Sequence, residues 1–152
     1  MKILLPVDGT ELSLHETRFA LQLMREGLRA SLVLVNVQEP ASFYEIVTAD
    51  SPELIEGAAL DAGEDLMEPS ARLLRDAGVT FEAAVVQGGD PAQAMLELIE
   101  SHQCDMVVMG SRALGPVRRW LEGGSVSQRL VQNSPVPVLL VTPPDEATAD
   151  EI

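Results

Sequence analysis

Five short apolar runs rich in β-branched residues, separated by stretches of helical period, constrain this chain more than any other feature. They are Ile3 to Val7, Ser31 to Val37, Val79 to Val86, Asp105 to Met109 and Val136 to Val141. Strands that are apolar at nearly every position are covered on both faces, the condition of a parallel sheet with crossover helices. Such crossovers are right-handed. The expected fold is α/β: a doubly wound, five-stranded parallel sheet of order 3-2-1-4-5 with helices on both faces. The strand order then reverses between the first and fourth strands, and ligands of such sheets sit beyond the carboxyl ends of the strands at the reversal. Asp8 closes the first strand and Gly110 the fourth, so both are expected at one crevice.

The segments between the runs have helix signals. The first helix is expected from about Glu11 or Ser13 to Glu26, with Phe19, Ala20 and Leu23 on one face. Ser13-Leu-His-Glu16 matches a capping box, and Gly27 is its stop. The second runs from about Pro52 to Ala77, kinked or split at Pro69, and Gly78 ends it. The third has Asp90 as N-cap and Pro91 in the first helical position, with Ala94, Met95, Leu98 and Ile99 facing inward. The fourth starts between Pro116 and Ser125 and includes Val126, Leu130 and Val131. Residues 40–50 have no clean period and read as a long connection. Residues 1–142 form one domain, and the acidic tail 143–152 is expected to be disordered.

A glycine-rich loop, Gly110-Ser-Arg-Ala-Leu-Gly115 through Gly123-Gly124-Ser125, joins the fourth strand to the fourth helix. Glycine admits close backbone approach, and the N–H groups of a helix start favour an anion. Arg112, Arg118, Arg119 and Arg129 cluster there, opposed only by Glu122, in a chain of net charge -14 with 10 Lys+Arg. An acidic chain that spends four of its ten cations on one loop is reading an anion. The same charge argues against nucleic acid and anionic membrane as partners. Cys104 is the only cysteine, so neither an internal disulfide nor a thiolate metal site is expected, and a cytoplasmic location fits.

The opening Ile3-Leu-Leu-Pro-Val-Asp-Gly-Thr10, the turn Gly88-Gly-Asp-Pro-Ala92, and Cys104-Asp-Met-Val-Val-Met-Gly-Ser-Arg112 together resemble the universal stress protein family. So do Gly124-Ser-Val-Ser-Gln-Arg-Leu-Val131 and Ser134-Pro-Val-Pro-Val-Leu-Leu-Val141, in the same order and spacing. The resemblance implies an adenine nucleotide α-hydrolase-like fold and a stress-response protein that binds ATP or AMP, with Mg²⁺ as a companion, as sensor or regulator. ATP-binding members carry a glycine, two residues, a second glycine, nine residues, then glycine and serine or threonine. Here Ala113 replaces the second glycine, and Gly124-Ser125 falls one place late. The alternative function is a homodimeric interaction protein whose degenerate site holds no nucleotide.

The candidate binding residues are Val7, Asp8, Val37, Gly110, Ser111, Arg112, Gly115, Gly124, Ser125 and Val126. By the resemblance, Val7 and Val37 wall an adenine pocket; each also reads simply as core. Asp8 accepts from ribose, orients the loop, or caps the turn beside Gly9. Gly110, Ser111 and Arg112 cradle phosphates or form a tight turn. Ser125 donates to phosphate, with the N–H groups of Val126 and Ser127 behind it, or caps the helix. His15 and His102 lack ligand-spaced partners and read as surface or capping residues. Trp120 is left open between the site, a partner surface and the core. No Walker, nucleophile-elbow or zinc-protease pattern occurs, and Lys2 is the only lysine, so any ATP hydrolysis is expected to be slow and incidental. The fifth strand carries no charge and falls at the sheet edge, which predicts a homodimer through residues 136–142.

Overall fold

A computed structural model describes residues 1–40, 42–48, 50–111 and 126–143. The chain order is β1 (Lys2–Pro6), α1 (Glu11–Arg25), β2 (Ser31–Gln38), α2 (Phe43–Thr48), α3 (Pro52–Asp76) and β3 (Phe81–Gln87). It continues with α4 (Pro91–Ser101), β4 (Met106–Gly110), α5 (Val126–Asn133) and β5 (Val138–Val141). The strands form one sheet of order β3-β2-β1-β4-β5, every pair parallel. This is the expected doubly wound topology. Of the expected tail, residues 144–152 lie outside the described residues.

Alternation along the strands divides the core into two layers. Ile3, Leu5, Val7, Leu32, Leu34 and Val108 pack against Ala20, Leu21, Met67 and Leu74 of α1 and α3. Leu4, Val33, Val35, Val107 and Met109 pack against Met95, Leu98, Ile99 and Leu130 of α4 and α5. Most of these strand residues are fully buried. Each large apolar side chain so placed contributes roughly 1.5–3 kcal/mol.

Several local expectations change. The capping box is not formed: Thr10 is the N-cap of α1 and its side chain accepts from the Ser13 N–H. Ser13 and Glu16 are instead buried, because Ser13, Glu16, Thr17 and Ala20 lie on the stripe facing the sheet and α3. The helix α3 runs unbroken through Pro69. Its inner face holds on either side of that residue: Met67, Ser70, Ala71 and Leu74 are buried, and Thr17 donates its hydroxyl to Ser70 Oγ at 2.8 Å. The connection after β2 contains the six-residue helix α2. The third strand starts two residues later than expected and the fifth starts at Val138, after Pro135 and Pro137.

Candidate functional site at the strand reversal

The crevice is bounded by the carboxyl ends of β1 and β4. Their pairing covers Ile3 to Leu4 against Met106 to Val107. Beyond it, Val7 donates its N–H to the Val35 carbonyl at 2.8 Å and stays with β2. On the other side Ser111 donates its N–H to Val141 O at 2.9 Å and stays with β5.

The turn after β1 is organised by Asp8. Its Oδ1 accepts from the Thr10 N–H at 3.1 Å, the Thr10 hydroxyl at 2.6 Å and the Ser13 hydroxyl at 2.6 Å. The Asp8 N–H donates to Ser13 Oγ at 2.8 Å. Gly9 has φ +80, a conformation that favours glycine, and a Cβ there would displace the end of the Leu66 side chain, 2.7 Å away. Asp8 thus fixes the entry to α1.

A polar chain crosses the top of β2. Buried Asn36 donates Nδ2–H to Val7 O at 2.8 Å, and Gln38 donates Nε2–H to Asn36 Oδ1 at 2.6 Å. Val7 and Val37 do not share a wall. The Val7 side chain belongs to the layer under α1 and α3, whereas Val37 packs with the layer under α4 and α5. Period-two alternation separates them.

Gly110 is a close-approach glycine, but what approaches is α1. A Cβ on Gly110 would lie 2.2 Å from Glu16 Oε1 and 2.7 Å from Leu12 Cγ and Cδ2. Glu16 is only 5% exposed, and its Oε2 has no hydrogen-bond partner among the described residues. Burial pushes its carboxyl up to about 8, and the Gly110 backbone N–H pulls it part of the way back. The Gly110 and Ser111 N–H groups are therefore engaged by Glu16 and Val141. Among the described residues beside this turn, the Ser111 hydroxyl and the N–H groups at the start of α5 are further donors.

Val126 opens α5 and is half-buried, with Ser127 and Leu130 buried behind it. Arg129 is committed to Asp90, which accepts from both guanidinium nitrogens at 2.7 Å. That guanidinium holds the Asp90 carboxyl below its usual range, and Asp90 also caps α4 through the Ala92 and Gln93 N–H groups. Arg129 thus ties α5 to the start of α4, and the cation cluster read from the sequence loses one member to a structural pair. Arg112, Gly115, Gly124 and Ser125, with Arg118, Arg119 and Trp120, lie outside the described residues. His102 caps the end of α4 and its Nδ1 lies 3.4 Å from Glu82 Oε2. Cys104 is buried. Among the described residues no group of three or more His, Cys, Asp or Glu is placed to hold a metal ion, and no helix is long and apolar enough to cross a membrane.

Sequence reasoning missed Glu16 because the capping-box match absorbed it. The signal was its spacing: Leu12, Glu16 and Ala20 recur every four residues, which puts a carboxylate on an inward stripe.

A parallel sheet reversing between β1 and β4, with a turn held by an aspartate at one strand end and a close-approach glycine at the other, defines a doubly wound α/β fold. Residues 1–142 match the universal stress protein family, and the chain belongs to it. It is 34% identical over 141 residues to a universal stress protein of Thermus aquaticus, covering 91% of this chain and 96% of that one. A universal stress protein family member from Arabidopsis thaliana, solved with AMP bound, superposes with a TM-score of 0.69 at 20% identity, covering 97% of this chain and 95% of that one. A universal stress protein in complex with cAMP gives a TM-score of 0.69 at 22% identity, covering 93% and 96%.

Proposed function

We propose that this universal stress protein binds an adenine nucleotide, ATP or AMP, at the crevice between β1 and β4 and acts as a cytoplasmic sensor or regulator. The observation that supports this reading is the reversal itself: past Leu4 and Val107, β1 stays with β2 and β4 with β5, and Asp8, Gly110 and Ser111 follow at the two strand ends. Two proteins of the same fold hold adenine nucleotides, AMP in one and cAMP in the other. The residues present fit such a ligand in part. The start of α5 and the Ser111 hydroxyl suit phosphate, and the Asn36–Gln38 amides suit the edge of a base. The buried Glu16 carboxyl opposes a full negative charge once it ionises, above about pH 8. Gly124, Ser125, Gly115 and Arg112 are assigned to the phosphates, with Mg²⁺ as their companion. Asp8 serves the ribose by holding the turn, and Val7 and Val37 flank the base from opposite layers. Acid extraction of the purified protein, followed by calorimetric titration with ATP and AMP, tests the reading. Saturable binding is expected, weaker than in a relative with the intact glycine pattern. No heat at millimolar nucleotide, with or without Mg²⁺, overturns it.

A second reading, a homodimeric interaction protein, is favoured by the edge of the sheet. There β5 is terminal, Leu140 is 41% exposed, and Val131 of the adjacent α5 is 52% exposed. Pairing of two such edges is the proposed dimer interface in either reading.

A further inference from the structure

The buried carboxyl of Glu16 is the one polar group at the crevice that the proposed function leaves unexplained. It is 5% exposed, Oε2 has no partner among the described residues, and Oε1 lies 2.2 Å from where a Cβ on Gly110 would stand. We propose that Glu16 is a charge-selecting residue: an anionic ligand at the Gly110–Ser111 turn binds only while Glu16 carries a proton, so phosphate binding is coupled to proton uptake. This rests on the nucleotide-binding reading.

The surroundings make Glu16 respond to a neighbouring charge. From β4 it faces Gly110, and neither β4 nor β5 carries a titratable side chain. In β1 the only one is Lys2, at the far end of the strand. From α3 the residues buried against α1 are Met67, Ser70 and Ala71, while Glu64, Asp65 and Arg72 are exposed and Glu68 is half-buried. On α1 itself, Glu11 and Arg18 are exposed and His15 is half-buried. Asp8, in the turn before α1, directs Oδ1 to Thr10 and Ser13. No described cation compensates an ionised Glu16. Burial therefore keeps the proton on in the free protein up to about pH 8. A phosphate on the far side of the Gly110 backbone adds a like charge across one thickness of chain. Like charges sharing a partly dry site shift one another by about a pH unit or more. Phosphate binding thus holds the proton on Glu16, and deprotonation of Glu16 expels phosphate. Adenosine, which carries no charge, escapes this coupling.

The test uses the full chain and its Glu16→Gln variant, which keeps the shape and cannot ionise. Affinities for ATP, AMP and adenosine are measured by calorimetry between about pH 7 and pH 9, where the phosphates are already ionised. Carbon-detected NMR follows the Glu16 carboxyl with and without AMP. In the wild type, affinity for ATP and AMP is expected to fall about fivefold to tenfold across this range while that for adenosine stays level, and AMP raises the titration midpoint of Glu16. The Glu16→Gln variant is expected to bind both nucleotides with a flat pH profile. Parallel profiles in the two proteins, or a Glu16 midpoint that AMP does not move, overturn the coupling and leave nucleotide binding intact. Failure of both proteins to bind any nucleotide at any pH overturns the nucleotide reading and this proposal together. Calorimetry in buffers of different ionisation enthalpy counts the proton directly, a readout that a purely structural role for Glu16 does not move.

Discussion

Replacing Glu16 by Gln is expected to raise the stability of the free protein and to remove most of the difference in its alkaline behaviour. The wild-type carboxyl titrates near 4.5 when unfolded and near 8 when folded, because burial disfavours its charge. The folded state holds the proton more tightly, so stability is full below the unfolded value and is lost as pH rises through the folded one. The slope vanishes above about 8. Each pH unit between the two values is worth about 1.4 kcal/mol, so the loss between pH 5 and pH 8 is on the order of 4 kcal/mol. Relaxation of α1 or entry of water lowers this figure. Urea unfolding of both proteins across this range checks it, because other carboxylates contribute equally to both curves and cancel in the difference. Wild type and Glu16→Gln should converge at acid pH and diverge steadily above about pH 5. A constant difference refutes the reasoning. So does an NMR midpoint for Glu16 at or below 4.5 in the folded protein, which would mean that a cation is delivered to Oε2 and the carboxyl is held charged.

Other consequences follow from the same geometry. Gly110→Ala should destabilise by about 1–3 kcal/mol, because its Cβ would overlap Glu16 and Leu12, and pairing it with Glu16→Ala should recover part of the loss in a denaturation double-mutant cycle. Asp90→Ala should lower the melting temperature more than Arg129→Ala, since Asp90 caps α4 as well as holding the arginine, and equal losses would mean the cap is idle. Arg112→Ala should weaken ATP more than adenosine, by roughly 1.5–3 kcal/mol, and equal loss in calorimetry for both would remove it from the phosphates. Leu140→Lys should leave a monomer in sedimentation if β5 forms the dimer, and an unaltered dimer would move the interface elsewhere.

The sheet was legible because its information is redundant. Val33, Val35, Val107 and Val108 are buried, and their runs carry apolar residues towards both faces. Only a parallel sheet covered on both sides accommodates four such strands in succession. Asp90 was legible as a cap because capping is local: aspartate, proline and the following N–H groups lie within one turn. The chemistry at the crevice was harder to read because it depends on contacts between distant segments. Gly110 looked like a phosphate glycine, yet the space its missing Cβ leaves is taken by α1. Val7 and Val37 looked like two sides of one pocket, yet the pleat puts them on opposite layers.

Glu16 shows why local pattern matching failed at that position. A capping box and an inward stripe both put a glutamate three residues after a serine, and they differ only in where the helix starts. Here the helix starts three residues earlier than the box requires, at a cap supplied by Thr10 and braced by Asp8. That shift turns Ser13 and Glu16 from surface to interior. Ser13 finds Asp8, and Glu16 reaches Gly110 with one oxygen unpartnered among the described residues. The turn that positions the crevice therefore also buries the carboxyl that opposes charge in it. An acidic chain with its arginines gathered at this loop offers a way to offset that carboxyl, but the described one, Arg129, is already spent on Asp90. In the proposed site, an anion would rely on the proton on Glu16, the Ser111 hydroxyl and the start of α5, and the arginines at 112, 118 and 119 of the sequence. Their division of the work is what the pH dependence of Glu16→Gln and the ligand dependence of Arg112→Ala separate. A proton-limited site loses phosphate affinity with rising pH and regains it in the glutamine variant. A site limited by arginine loses it in Arg112→Ala at every pH.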